Sequence, residues 1–253
     1  MTRETLIAVA GKGGTGKTTL TALLLRYLTS KYKDKAILAV DADANANLNE
    51  ALGLELEETI SEALAATKDS RLVPKGMPKP MFMEMRASQA LVESEQIDLL
   101  TMGNPEGPGC YCYPNDLLRL YLEKLRTNYD YVFVDNEAGL EHLSRRIIDN
   151  IDYILITSDA TARGIRSAGR VLEIIKSVKI EAKKIFLIIT RTRNGEEKNL
   201  QAEIAKTGLE VLGTVPMDEN VFKFDLDDKP LFQLPEDSPA YRAVAEIAQR
   251  LNL

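Results

Sequence analysis

The string Gly11-Lys12-Gly13-Gly14-Thr15-Gly16-Lys17-Thr18-Thr19 carries the residue types that hold a polyphosphate. It satisfies G-x-x-x-x-G-K-[ST], in which glycines let backbone N–H groups converge on phosphate oxygens at a helix amino terminus. Lys17 supplies a positive charge to the β- and γ-phosphates, and Thr18 supplies a hydroxyl for Mg²⁺. Two carboxylates follow in Val40-Asp41-Ala42-Asp43-Ala44-Asn45, and Asp135 closes the run Val132-Phe133-Val134-Asp135. Acids at the ends of apolar runs can hold a metal's water shell or orient an attacking water. For Asp41 and Asp43, capping a short helix over 46–52 is the alternative. Cys110 and Cys112 are the only cysteines, and one intervening residue disfavours a disulfide while leaving two thiols free to share a ligand. His142, the only histidine, is either a metal ligand or a packed or capping side chain. Met81, Met83 and Met85 alternate, which reads more simply as one face of a strand than as a thioether site.

The elements that must position these residues follow from the apolar pattern. Strand-like runs recur over 6–10, 36–40, 97–101, 131–134, 153–157, 185–190 and 211–215. Helical patterns fit over 18–30, 116–126, 140–149, 163–178, 197–207 and 240–251. Alternation of this kind predicts one α/β domain over residues 1–253, with a mostly parallel sheet of seven or eight strands and helices on both faces. The phosphate string then lies directly after the first strand and opens the first helix, as the motif requires. The stretch 68–114 is the least regular.

With 45% hydrophobic and 28% charged residues, the chain has the composition of a globular protein, and 15 glycines and 10 prolines are too few for a disordered or collagen-like one. A net charge of −6 without a basic block argues against a nucleic-acid partner. The amino-terminal apolar run is too short for a signal peptide, and no later stretch approaches the roughly 18 apolar residues of a spanning helix. A cytoplasmic location without a membrane partner is therefore expected, in keeping with free thiols.

Lys12, in Lys-Gly-Gly-x-Gly-Lys-Thr, makes the loop resemble the deviant phosphate loop of the septum-site and plasmid-partition ATPases and the nitrogenase iron protein. The string Asp135-Asn136-Glu137-Ala138-Gly139-Leu140-Glu141-His142-Leu143 and the Cys110-Tyr111-Cys112 motif resemble the carbon monoxide dehydrogenase accessory ATPases, which insert nickel into that enzyme. The resemblance spans nearly the full length. It implies a homodimeric Mg²⁺-dependent ATPase in which Lys12 reaches the partner's nucleotide, as an arginine finger does. It further implies that Asp43 positions the attacking water, that Asp41 belongs to the Mg²⁺ side, and that Asp43, Asp135 and Gly139 act in the switches. Two thiolates per subunit cannot complete a four-coordinate site, but a two-fold dimer brings four together, a Cys₄ site suited to Ni²⁺ or Zn²⁺. Carbon monoxide dehydrogenase is the implied client, with acetyl-CoA synthase as the sister alternative. A positioning ATPase acting on membrane or DNA and an iron–sulfur reductase are readings of other classes.

On the base side the resemblance assigns Thr190, Arg191, Pro216, Met217 and Asp218 to the nucleotide. Relatives usually carry Asn-Lys where this chain has Thr190-Arg191. Thr190 replacing one hydrogen bond and Arg191 stacking on the base are both open.

Overall fold

A computed structural model describes residues 4–68, 71–104, 112–137, 150–193, 195 and 199–253. Eight strands form one sheet: β1 (Thr5–Gly11), β2 (Ile37–Ala42), β3 (Leu91–Val92), β4 (Asp98–Thr101), β5 (Tyr131–Asn136), β6 (Ile151–Asp159), β7 (Ala182–Thr192) and β8 (Glu210–Pro216). Their spatial order is β3-β4-β2-β5-β1-β6-β7-β8. Every pairing is parallel except that of β3 with β4 at the edge. The seven runs read from sequence all fall on strands of this sheet, and β1, β6, β7 and β8 extend one to three residues past them at each end.

Central strands are buried on both faces, which is why they read as continuous apolar runs. In β1, Leu6, Ala8 and Ala10 join one core and Ile7 and Val9 the other. The second core receives α1 (Lys17–Lys31), α2 (Leu48–Leu52) and the last helix, α9 (Pro239–Arg250). Leu20, Leu23, Leu24 and Leu28 bury one side of α1 there. The opposite face carries α3 (Ile60–Lys68), α4 (Lys79–Gln89), α5 (Cys112–Leu125), α6 (Ala162–Ser177) and α7 (Gln201–Thr207). A further helix, α8 (Glu219–Leu226), packs Val221 and Phe224 on the second core.

Helix boundaries have local causes. Thr161 caps α6 by accepting from Gly164 N at 2.9 Å, and Ser238 caps α9 by accepting from Tyr241 N at 3.2 Å, with Pro239 at the first helical position. At α3, Thr59 and Glu62 form a reciprocal capping box: the Thr59 N–H donates to Glu62 Oε2 at 2.7 Å, and the Glu62 N–H donates to Thr59 Oγ at 3.3 Å.

The methionine alternation corrects one expectation. Met81, Met83 and Met85 lie on helix α4, not on a strand. Phe82 and Ala87 are the buried residues of that helix and Met81 is 59% exposed, so three alternating residues were too short a window to fix the period. The irregular stretch likewise contains α4, β3 and β4. The expected helix over 140–149 lies outside the described residues, as do 197–198 of the helix expected over 197–207; its described part is α7, which begins at Gln201.

The chain leaving β4 is pinned before it reaches the cysteines. Met102 N donates to Asp41 O at 2.9 Å, Ser61 N to Met102 O at 2.9 Å, and Ser61 Oγ to Gly103 O at 3.1 Å. Gly103 has φ +70, and a β-carbon there would stand 2.4 Å from Thr59 Oγ. Gly208, also at φ +70, has nothing within 4 Å. Gly103→Ala is therefore expected to cost about 2 kcal/mol or more, combining backbone strain with a clash, and Gly208→Ala only the strain of about 1 kcal/mol. Chemical denaturation of the two variants checks this ranking; equal losses would contradict the clash.

Candidate functional site

The carboxyl edge of the sheet gathers the expected residues. Gly11 ends β1 at φ +153, where a β-carbon would meet Thr157 Oγ at 2.4 Å. Gly14 and Gly16 also have positive φ, and Gly16 is the N-cap of α1. Thr15 stabilises the loop from behind: its hydroxyl donates to Lys12 O at 2.7 Å and lies 2.7 Å from Thr157 Oγ. Thr190 Oγ donates to Thr15 O at 2.8 Å. Lys17 is buried, whereas Lys12 is exposed on the outer rim.

Behind the loop two acids stand side by side. Asp41 and Asp135 occupy matching positions on adjacent strands β2 and β5, with side chains on the same face. Thr18 Oγ donates to Asp135 Oδ2 at 2.6 Å, while Asp135 Oδ1 is buried and has no hydrogen-bond partner among the described residues. Burial raises the Asp135 carboxyl to about 7, against the lowering effect of the Thr18 hydroxyl. Asp41 is raised to about 6, again by burial, although backbone N–H groups of Leu48 and Asp43 partly offset it. Its Oδ2 accepts from Leu48 N at 2.9 Å and its Oδ1 from Asp43 N at 3.0 Å, so Asp41 caps α2 and braces the segment before it. A hydroxyl, a carboxylate oxygen left open and a second buried carboxylate form a hard-oxygen donor set that fits Mg²⁺. Asp43 lines the polar cleft, its Oδ1 accepting from Asn45 N at 2.9 Å and Asn45 Nδ2 at 3.0 Å.

Two clefts flank the loop. A polar one of about 480 Å³ includes Gly13, Lys17, Thr18, Asp43 and Glu50. An apolar one of about 440 Å³ is walled by Leu20, Leu23, Val215, Val221, Phe222 and Val244. Thr190, Arg191, Pro216, Met217 and Asp218, the residues assigned to the base side, line the apolar cleft. Asp218, however, turns its carboxylate inward to Ser238 Oγ at 2.5 Å, Ala240 N at 3.0 Å and Asn220 N at 2.8 Å. Burial opposes ionisation of Asp218, and these hydrogen bonds outweigh it and hold the carboxyl below its ordinary value. Sequence reasoning missed Thr157, whose signal was a hydroxyl at the carboxyl end of an apolar run, and Asn136, whose Nδ2 donates to Val9 O at 2.9 Å and ties β5 to the loop's strand. It also missed α8 with Phe222 and Asp225, which the short segment after Asp218 did not advertise.

Cys110, Gly139 and His142 lie outside the described residues. Cys112 is the first residue of α5. Among the described residues no group of three or more His, Cys, Asp and Glu is placed to hold a metal ion, and no helix is long and apolar enough to cross a membrane.

The nucleotide binding domain model of CobQ, CobB, MinD and ParA proteins matches residues 6–231. The chain belongs to this family. It is 38% identical over 249 residues to an uncharacterised ATP-binding protein of Methanocaldococcus jannaschii, covering 97% of this chain and 98% of that one. The carbon monoxide dehydrogenase accessory protein CooC of Rhodospirillum rubrum is 28% identical over 248 residues, covering 93% and 91%. The solved MinD cell division protein of Aquifex aeolicus superposes with a TM-score of 0.71 at 26% identity, covering 98% and 96%. Family membership shows nucleotide binding, with ATP or ADP as ligand.

The buried acids set a pH dependence. Both carboxyls lie above the unfolded value of 3.8, so the folded chain binds more protons than the unfolded one between that value and about 7. Their favourable contribution is complete below the unfolded value and is lost as pH rises through about 6 and 7. The nucleotide-free protein should therefore lose thermal stability over that window, and Asp135→Asn should flatten the profile. An identical slope in the variant would contradict the assignment.

Proposed function

We propose that the chain is a Mg²⁺-dependent ATPase whose hydrolysis is coupled to homodimerisation and which serves as a nickel-insertion or metallocluster-maturation factor for carbon monoxide dehydrogenase. The observation that carries the ATPase reading is the buried Asp135 oxygen, without a partner among the described residues, beside the Thr18 hydroxyl and directly behind the phosphate loop. The loop's backbone N–H groups and Lys17 bind the phosphates; Thr18 and Asp135, with Asp41 behind them, hold the cation. Bound there, Mg²⁺ neutralises charge on the phosphate oxygens. Asp43, at the cleft wall, orients water by accepting its hydrogen bond. Lys12 serves the partner's nucleotide, a role in keeping with its exposure on the rim. Asp135 and Gly139 transmit the state of the γ-phosphate, ATP closing the dimer and hydrolysis opening it.

The maturation role rests on the likeness to CooC and on Cys110 and Cys112. Four thiolates across a two-fold axis would bind one Ni²⁺ or Zn²⁺ as cargo, with carbon monoxide dehydrogenase as recipient and acetyl-CoA synthase as the alternative client. The likeness to MinD favours a second reading, a positioning ATPase. Against its membrane form, the apolar face of α9 is already spent: Tyr241, Val244 and Ile247 are buried in the core. Co-sedimentation with liposomes or DNA would favour that second reading.

Lys17→Ala should abolish ATP binding, because Lys17 faces its own loop, while Lys12→Gln should retain binding and slow turnover by about tenfold or more. Equal losses of affinity in both variants would remove the role in trans. For the metal, one tight Ni²⁺ or Zn²⁺ per dimer is expected, and Cys110→Ala alone should abolish it, since each substitution removes two of four ligands. Anaerobic titration giving one metal per monomer would reject the shared site.

A further inference from the structure

Among the described residues, buried threonines make hydrogen bonds with one exception. Thr21, for instance, donates to Lys17 O at 3.0 Å. Thr101 is 0% exposed, yet its hydroxyl has no partner among the described residues. A buried hydroxyl left unpaired costs the fold stability, so its place in the structure matters. Thr101 ends β4, opposite Asp41 in the register of β4 with β2, and Asp41 is in turn opposite Asp135 in the register of β2 with β5. Two residues earlier on the same strands, Leu99, Ala39 and Phe133 all belong to the core that receives α1. Alternate residues of a strand share a face, so Thr101, Asp41 and Asp135 form one row on the α1 side of the sheet. Thr18 reaches the far end of that row through Asp135. The Asp41 oxygens accept from Leu48 N and Asp43 N, one each. A carboxylate has about four lone-pair sites, which leaves room for a further donor, and Thr101 is the neighbour on β4 that carries one.

We infer that Thr101 is a positioning residue for Asp41, its hydroxyl donating to the Asp41 carboxylate when Mg²⁺ and nucleotide are bound. The inference rests on reading Thr18, Asp41 and Asp135 as the cation site. A carboxylate that faces a cation is held ionised, and a hydrogen bond to an ionised acceptor is about twice as strong as one between neutral groups. The bond therefore gains most in the loaded site, where it fixes the direction in which Asp41 faces the cation.

Calorimetric titration of the full chain with ADP, once in Mg²⁺ and once in EDTA, reads the factor by which Mg²⁺ tightens binding. Thr101→Val should reduce that factor about tenfold, with ADP affinity in EDTA kept within about twofold of the wild type. Thr101→Ser, which retains the hydroxyl, should preserve the factor. Thr101→Val should also raise the melting temperature of the ligand-free protein by about 2 °C or more, because an unpaired buried hydroxyl is removed. A hydroxyl with a purely structural role would instead lower it. An unchanged Mg²⁺ factor in Thr101→Val, an equal loss in Thr101→Ser, or a lower melting temperature in Thr101→Val would each overturn the inference. A wild-type factor that survives in Thr101→Val would do so while leaving the cation site intact, whereas failure of Mg²⁺ to tighten ADP binding to the wild type would remove the site reading as well.

Discussion

A phosphate-binding loop points its N–H groups at a ligand that is often absent, so whatever fixes its shape must act from behind. Here three threonines from different elements do so. The Thr15 hydroxyl closes the loop on Lys12 O, the Thr157 hydroxyl is shared between Thr15 Oγ and Ala10 O, and Thr190 holds Thr15 O. All three are buried, where each hydroxyl left unpaired would cost about 1–3 kcal/mol. The cluster therefore ties the loop to β6 and β7. Gly11 is part of the same constraint, since Thr157 occupies the space a β-carbon would need.

The adjacent acids pull the other way. Asp41 and Asp135 bring two carboxylates into an environment that favours their neutral forms, and their proximity adds mutual repulsion at Asp135. Asp41 is made tolerable by two backbone donors, which couples it to the course of the chain through Asp43 to α2. Asp135 has one donor and an open oxygen. One acid is thus satisfied by the fold, while the other keeps an oxygen without a partner among the described residues.

How much could be read in advance depended on whether the determining residues were contiguous. The phosphate loop is nine consecutive residues, and the central strands are apolar without interruption because both faces are covered. Strand ends such as Thr157 and Thr192 escaped the reading because their hydroxyls pair with distant partners, whereas the capping of a short helix by Asp41 was one of its alternatives. The Thr59–Glu62 capping box was visible in sequence, but no long apolar pattern followed to draw attention to α3. Asp218 read as a ligand group because two of its donors, Ser238 and Ala240, sit 20 and 22 residues away and the third, Asn220, opens a short helix without a clear apolar pattern. The apolar cleft draws on residues from Gly16 to Val244 and has no linear signature.

The position of β1 bears on how the chain acquires its structure during synthesis. Its neighbours on the two sides are β5 and β6, with Thr5 opposite Tyr131 and Gly11 opposite Thr157. Both edges of the first strand made therefore stay unpaired until more than half of the 253 residues have left the ribosome. Contacts of such sequence separation form slowly, and an apolar strand with open edges invites association with other chains meanwhile. Until β6 is made, the phosphate loop also lacks the Thr157 hydroxyl that lies against Thr15, so its shape and the pairing of β1 are completed together.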